Sequence, residues 1–270
     1  MTLDQLIRTQ TDELRGAGIA SARLDVLVLL SDALEQDKAW LLAHGDQQLD
    51  EPDIIEHLRG QIARRKRREP LSYIRGQQEF YGRRFMVNPH VLIPRPETET
   101  LIELVLGLPL PRQFTAIDVG TGSGIIAVTL KLERPAAAVL AIDSTSEALE
   151  AAEQNARNLH AGVTFLQSNL LQNCPVQTAD VVIANLPYVS RDWQRSPETD
   201  FEPANALFAG QDGLGLIYEL IDQVGRYIRA GGYVALEADP VQHGRIVLRA
   251  QKHGLRPLTA QHYALLFQQS

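Results

Sequence analysis

Apolar positions follow two different rhythms along the chain. Up to about residue 70 they recur every three or four positions, and Leu3, Leu6, Ile7 and Leu14 share one face of a predicted helix. Thr2 and Gln5 stand at capping-box spacing at its start, and Gly16 and Gly18 break it. Ser21 is placed to cap a second helix with Leu24, Leu27, Leu30 and Leu34 as its stripe. Asp37 can cap a short third helix, KAWLLAH. Pro52 suits the first turn of a fourth, striped by Ile54, Ile55, Leu58 and Ile62. No strand pattern interrupts this stretch, which predicts a small helical bundle with short connections. The fourth helix ends in the basic run RRKRRE, Arg64 to Glu69. A solvated helix end, its cations complementing the helix dipole, is the favoured reading; a contact to RNA or to an acidic protein is the alternative.

After Pro70 the rhythm changes. QEFYGRRFMVN predicts two short strands around Gly82 and Arg83. LIPRPETE follows, with Pro94 and Pro96 stiffening the approach to a helix at 97–107. From Thr115 onward short apolar runs alternate with helical patterns. The predicted strands are TAIDVG, AAVLAID, VTFLQS, DVVIAN and GYVALEA. The predicted helices cover 125–132, 146–159, 214–228 and 241–253, and HYALLFQ reads as an antiparallel edge strand. Such alternation predicts an α/β fold, a mostly parallel sheet covered on both faces.

Composition narrows the function classes. Of 270 residues, 44% are hydrophobic and 22% charged, as in an ordinary globular protein. The net charge of −7 argues against broad nucleic-acid binding. A single cysteine, Cys174, excludes an internal disulfide. With no long apolar run and no evident secretory signal, the expected home is the cytoplasm, without a membrane partner. The seven histidines do not cluster with cysteine or acidic residues at ligand spacing, so no metal site is predicted.

Candidate chemistry concentrates at strand ends. The first parallel strand runs into DVGTGSGIIA, where Gly120, Gly122 and Gly124 allow a tight turn and close approach of a ligand, with Thr121 and Ser123 between them. The spacing departs from the dinucleotide fingerprint, and no phosphate-loop ending follows. Asp118 before the loop would repel a pyrophosphate and suit a cationic ligand. S-adenosylmethionine, with its sulfonium and α-amine, is such a ligand. Asp143 ends the second strand, where a carboxylate can accept both ribose hydroxyls; capping the next helix, in competition with Ser144 and Ser146, is the alternative. After the third strand, Asn169 could meet an adenine edge and Leu170 its face.

The fourth strand ends in Asn185, Leu186, Pro187 and Tyr188. A methyl donor needs a nucleophile beside it, and a planar amide or exocyclic nitrogen is a reluctant one. Such a nitrogen needs fixed acceptors for its N–H groups. The Asn185 side-chain oxygen and the Leu186 carbonyl are two candidates; Pro187 holds Leu186 extended, and Tyr188 offers a flat face for a planar target. On this reading the Leu186 side chain matters less than its carbonyl.

With these motifs in hand, the chain resembles a class I methyltransferase of the release-factor glutamine methyltransferase family, the HemK/PrmC group. The resemblance covers nearly the whole length: the helical bundle, PLSYIRGQQEFYG, LIPRPETE, DVGTGSGIIA, AIDSTSEALEAAEQNA, ANLPYV, FEPANALFAGQDGL and the LEA ending at Ala238. It implies a Rossmann-like class I methyltransferase sheet at 97–270, a β-hairpin linker at 71–96 and a helical substrate-binding domain at 1–70. It further implies S-adenosylmethionine as donor, class 1 peptide chain release factors as protein substrate, and the glutamine amide of their Gly-Gly-Gln motif as acceptor. Gly120, Thr121, Gly122, Gly124, Asp143 and Asn185 would contact the donor, and Asn185, Leu186, Pro187 and Tyr188 would form the glutamine pocket. The sequence departs from the family pattern at Leu186, where proline is usual, at Asn169, commonly aspartate, and at Asp200, often arginine; the segment after Leu255 looks short.

Two other functions fit parts of the pattern. N-L-P-Y also occurs in adenine N6-methyltransferases acting on ribosomal RNA or DNA, but a base-flipping enzyme normally presents a basic face. A non-catalytic release-factor-binding protein would have little reason to keep the glycine loop, Asp143 and Asn185 together.

Overall fold

Thr2 and Gln5 cap each other at the start of α1 (Leu3–Gly16). The Thr2 hydroxyl accepts from Gln5 N at 3.2 Å, and the Gln5 side-chain oxygen accepts from Thr2 N at 3.0 Å. This reciprocal cap satisfies two donors that a helix start leaves open, as the spacing predicts. There follow α2 (Ala22–Leu34), α3 (Lys38–Ala43), capped by Asp37 at Trp40 N, α4 (Pro52–Lys66) and α5 (Leu71–Arg75). In the computed structural model, which describes residues 1–270, Met1–Gly76 forms one unit together with Ser196–Phe201. No helix of the chain is long and apolar enough to cross a membrane.

The helical unit differs from its sequence reading in several places. Its end lies beyond residue 70, because 71–75 forms α5 and buries Tyr73 and Ile74. Ser21 makes no side-chain cap; its backbone is not extended, so the hydroxyl does not reach the free donors of α2. Leu24 is exposed and the buried face of α2 is instead Ala22, Val26, Leu27, Leu29 and Leu30, with Asp25 turned inward. In α4, Ile54 and Ile55 are only half-buried, while Leu58, Gln61, Ile62 and Arg65 face inward. The basic run is therefore not simply a solvated helix end. Arg65 is buried, with Nε 2.7 Å from Asp25 Oδ2 and Nη1 3.0 Å from Glu198 Oε1. Arg64 pairs with Glu69, and Arg68 reaches Glu198 at 3.4 Å.

Gln77–Arg195 and Glu202–Ser270 form the second unit. Its elements in order are β1 (Gln77–Phe80), β2 (Arg83–Met86), α6 (Glu97–Leu106), β3 (Thr115–Val119), α7 (Ile125–Glu133), β4 (Ala138–Asp143), α8 (Ser146–Asn158), β5 (Thr164–Gln167), β6 (Ala179–Ala184), α9 (Ala204–Leu207), α10 (Gly215–Val224), β7 (Ile228–Glu237), α11 (His243–Lys252), β8 (Leu255–Gln261) and β9 (Ala264–Gln269). β1 and β2 pair as the predicted antiparallel hairpin. The large sheet has the order β5-β4-β3-β6-β7-β9-β8, with β5 through β7 parallel and β9 antiparallel to both of its neighbours.

Alternation along the strands separates two cores. Ile117, Val119, Val182, Val234 and Leu236 pack with α10 and α11 on one face. Ala116, Val181, Ile183 and Ala235 pack with α6 and α7 on the other, joined there by Phe80 and Phe85 of the hairpin. HYALLFQ is antiparallel but does not form the edge. Leu265, Leu266 and Phe267 are buried, and β8 lies outside them. The predicted helix at 214–228 stops at Val224, and β7 starts at Ile228, earlier than GYVALEA suggests.

Candidate active site

Strand order reverses between β3 and β6: β4 follows on one side and β7 on the other. Ligand crevices of such sheets open beyond the carboxyl ends of the strands at this point. The register pairs Val119 with Ala184, so the glycine loop and Asn185 leave the sheet side by side. A cleft with an empty volume of ≈ 970 Å³, including the part open to solvent, lies there. Gly120, Thr121, Gly122, Ser123, Asp143, Asn169, Leu170, Asn185, Leu186 and Pro187 line it. Asp118, Gly124 and Tyr188, the remaining predicted site residues, stand behind this lining.

The glycine loop is held by local hydrogen bonds. Gly120 N and Thr121 N both donate to the Ile142 carbonyl, at 2.8 and 2.9 Å, and Gly122 N donates to Asp143 Oδ2 at 3.0 Å. Gly122 has φ +54, and a Cβ there would meet no atom within 4 Å, so its face is open to the cleft. Gly124 does different work. It sits at φ +83 ahead of α7, and a Cβ would come 3.0 Å from that of Ala152, so it serves helix packing rather than ligand approach.

Asp118 is fully buried beneath the loop. Its Oδ2 accepts from Thr121 Oγ1 at 2.7 Å and Ala127 N at 3.1 Å, while Oδ1 has no partner. Burial is the main cause that pushes its pKa up to about 7; Asp143 adds to the rise, and the two hydrogen bonds oppose it. Asp143 itself borders the cleft. Its Oδ1 accepts from Thr145 N and Oγ1, and Thr145, not Asp143 or either neighbouring serine, caps α8. Leu170 lines the cleft with φ +49, a left-handed conformation unusual for leucine. Asn169 is exposed beside it.

At the end of β6, Asn185 Nδ2 donates to Thr98 Oγ1 at 3.1 Å. Leu186 corrects its sequence reading: the side chain is buried, and its Cδ2 lies 2.8 Å from where a Cβ on Gly120 would be. Position 186 therefore packs the two strand ends together as well as carrying a carbonyl. Tyr188 donates to Glu237 Oε1 at 3.2 Å, and burial next to that carboxyl pushes the phenol well above its ordinary pKa.

Sequence reasoning assigned no role to several residues of this region. LIPRPETE supplies part of the cleft wall, Leu92 to Arg95 and Thr98. FEP supplies its anchor: Glu202 is buried, accepts from Ile93 N at 3.2 Å and pairs with Arg95 at 2.5 Å. The only signal that either segment carries in the sequence is the family resemblance. Asn155 of α8 donates to the carbonyls of Met86 and Ser123 and accepts from Met86 N, tying the hairpin to the glycine loop.

Comparisons with known proteins bear on the family and on the fold. The family model of the PrmC N-terminal domain matches residues 5–76, and that of the methyltransferase small domain matches residues 98–199. The release factor glutamine methyltransferase of Koribacter versatilis is 42% identical over 251 residues, covering 89% of each chain. That of Enterococcus faecalis is 41% identical, covering 74% of this chain and 73% of its own. That of Neisseria gonorrhoeae is 40% identical, covering 80% of each. Among solved structures, a methyltransferase from Pyrococcus furiosus superposes with a TM-score of 0.55 at 19% identity, covering 71% of this chain and 91% of its own. The 16S rRNA N2 G1207 methyltransferase of T. thermophilus gives 0.53 at 14% identity, covering 72% of this chain and 49% of its own. At such identities these two structures speak for the fold.

Proposed function

This chain belongs to the release factor glutamine methyltransferase family, and from that premise we propose that it methylates the side-chain amide nitrogen of the glutamine in the Gly-Gly-Gln motif of class 1 peptide chain release factors, with S-adenosylmethionine as donor. The observation that carries the reading is the adjacency of Asn185 and the Leu186–Pro187 peptide to the glycine loop, at the strand-order reversal of the sheet.

The residues present fit the donor. The open face at Gly122 admits a ligand against the backbone, the Asp143 carboxylate at the cleft suits ribose hydroxyls, and Leu170 offers an apolar surface to a base. When bound, the donor supplies a sulfonium methyl carbon to which a nitrogen lone pair can bond as the carbon–sulfur bond breaks; the neutral thioether S-adenosylhomocysteine leaves and the amide gives one proton to solvent. The protein's part is to hold the nitrogen. Asn185 Oδ1 and the Leu186 carbonyl accept its two N–H groups and favour the pyramidal geometry of attack. Pro187 keeps Leu186 extended, and the buried Leu186 side chain supplies the rigidity that the usual proline would give. Asp118 underpins the loop through Thr121 and Ala127.

The helical unit is assigned the release factor, gripped away from its Gly-Gly-Gln loop. The β1–β2 hairpin is the linker, and the sheet from residue 97 onward is the catalytic domain. A substrate that works in translation places the enzyme in the cytoplasm.

Incubation with labelled donor and either unmodified release factor or ribosomal RNA tests the reading. Label on the Gly-Gly-Gln glutamine supports it. Label on RNA alone would show the adenine-directed alternative, and no affinity for the donor would show a non-catalytic binder.

A further inference from the structure

Glu237 ends β7 as one of the most deeply buried charged side chains of the sheet, only 1% exposed. No cation pairs with it. Tyr188 donates to its Oε1, and Oε2 accepts no hydrogen bond within ordinary distance limits. The Thr98 hydroxyl and the Asn185 amide nonetheless stand close enough to favour its ionised form. Thr98, from α6, is fully buried and accepts from Asn185 Nδ2. Three strand and helix ends thus bring together one hydroxyl and one amide of the cleft wall and, behind them, one acid and one phenol.

That arrangement solves a specific problem. An asparagine amide can present either its oxygen or its nitrogen to a neighbour, and the two differ little in shape. The proposed reaction needs an acceptor at that place; a donor there would repel the substrate N–H. A carboxylate next to the amide decides the matter, because it attracts the NH₂ end and repels the oxygen. We propose that Thr98 and Glu237 are positioning residues for the methyl acceptor: they engage the Asn185 NH₂ group and so hold its oxygen toward the cleft, while Glu237 also anchors Tyr188. The proposal rests on the glutamine-amide reading above. Neither residue touches the reacting atoms; both act through Asn185 and Tyr188.

The carboxyl must be charged for this role, since a protonated Glu237 could donate and turn the amide around. Burial, its main cause, raises the Glu237 pKa to about 7. The other titratable groups facing it are Tyr188 from the end of β6 and Glu97 from α6, with Tyr263 beside Tyr188 and His243 bonded to the Ala238 carbonyl. Tyr188 stays protonated throughout the working range, its pKa being raised, so beside Asn185 it is Glu237 that contributes an acid limb; Asp118 under the glycine loop, also at about 7, contributes another.

The test uses the full-length enzyme and intact release factor, measuring kcat, KM and donor affinity by calorimetry. The wild-type enzyme is the control for the reading itself: if it leaves release factor unmethylated, that reading fails before any variant is compared. Given an active wild type, Thr98→Val keeps the shape and removes the hydroxyl, and Glu237→Gln keeps the shape and removes the charge. Each is expected to lower kcat on the order of a hundredfold while donor Kd stays within about twofold. Thr98→Ser, which restores the hydroxyl, is expected to recover most of the rate. The wild-type kcat should fall as pH drops through about 7, and Glu237→Gln should make that limb shallower, leaving the share that Asp118 contributes. If Thr98→Val does not fold, Glu237→Gln and the pH profiles decide. Unchanged kcat in Glu237→Gln overturns the proposal. So does equal loss of rate in the valine and serine variants, or an acid limb just as steep without Glu237.

Discussion

Buried carboxylates occur in both units of this protein, in opposite settings. In the helical unit, the buried Asp25 and the half-buried Glu198 share the guanidinium of Arg65, itself only 8% exposed at its side chain. In the sheet unit Glu202 is likewise matched, to Arg95, but Asp118 and Glu237 have no cation although they are at least as buried; each leaves one oxygen without a partner. Where the purpose is to hold segments together, acids are matched with a base. Under the glycine loop and beside Asn185, acids are left unmatched and their protonation becomes conditional. The contrast separates a structural use of charge from a functional one within a single chain.

The contrast can be broken most severely at Arg65. Arg65→Met would strand Asp25 and leave Glu198 to Arg68 alone, with an expected loss of about 3–5 kcal/mol in the stability of the helical unit, measured by chemical denaturation. A pH series comes next, and its sign differs between the regions. Asp118 and Glu237 both have folded pKa values of about 7, above the ordinary 3.8 and 4.5. Between roughly pH 4 and 7 the folded state keeps protons that the unfolded chain has released, so these groups lower stability as pH rises through that window. Their combined effect is on the order of a few kcal/mol and is complete above pH 7. Glu198 behaves oppositely. Burial works against its ionisation, but the Ser196 hydroxyl, a backbone donor and Arg65 outweigh it and bring the pKa down to about 2. Its stabilisation is present above the ordinary 4.5 and is lost as pH falls from there toward 2. Thermal melts across this range should show the two slopes.

A smaller effect sharpens the comparison. Glu237→Gln removes an unpaired charge, so at pH 8 its Tm should match or exceed that of the wild type, even as turnover falls; a clear drop in Tm would make Glu237 a structural acid like those of the helical unit. The least effect is expected at Arg68, which is one-third exposed, supplements Arg65 at Glu198 and donates to the Ala17 and Gly18 carbonyls. Arg68→Ala should cost about 1 kcal/mol or less, read from the same denaturation curves.

The sequence made the sheet unit legible because its signals are local. A strand running into three glycines, an acid at the next strand end and N-L-P-Y after a third apolar run each carry their meaning within a few residues. The structure brings Gly120, Asp143 and Asn185 to one cleft. The failures share a cause in long-range partnership. Arg65 read as solvated because it sits among four other cations; Asp25, which buries it, lies forty residues earlier. Thr98 and Glu237 looked like a helix start and a strand end, and only the fold sets them beside Asn185. β8 was missed because Arg256, Pro257 and Leu258 show no alternation. An edge position tolerates such a strand, and its proline, where an interior one would not. HYALLFQ, by contrast, carried its own correction: a continuous apolar run belongs between neighbours, not at an edge.

The central claim is that two oxygens, those of the Asn185 side chain and the Leu186 carbonyl, direct a glutamine nitrogen at the donor methyl. The most direct measurement is a crystal structure of the enzyme with S-adenosylhomocysteine and a Gly-Gly-Gln peptide. The account predicts both oxygens within hydrogen-bond distance of the glutamine amide nitrogen, about 3 Å, with that nitrogen facing the donor sulfur. A glutamine bound with its nitrogen elsewhere, or an Asn185 presenting NH₂ to it, would contradict the account.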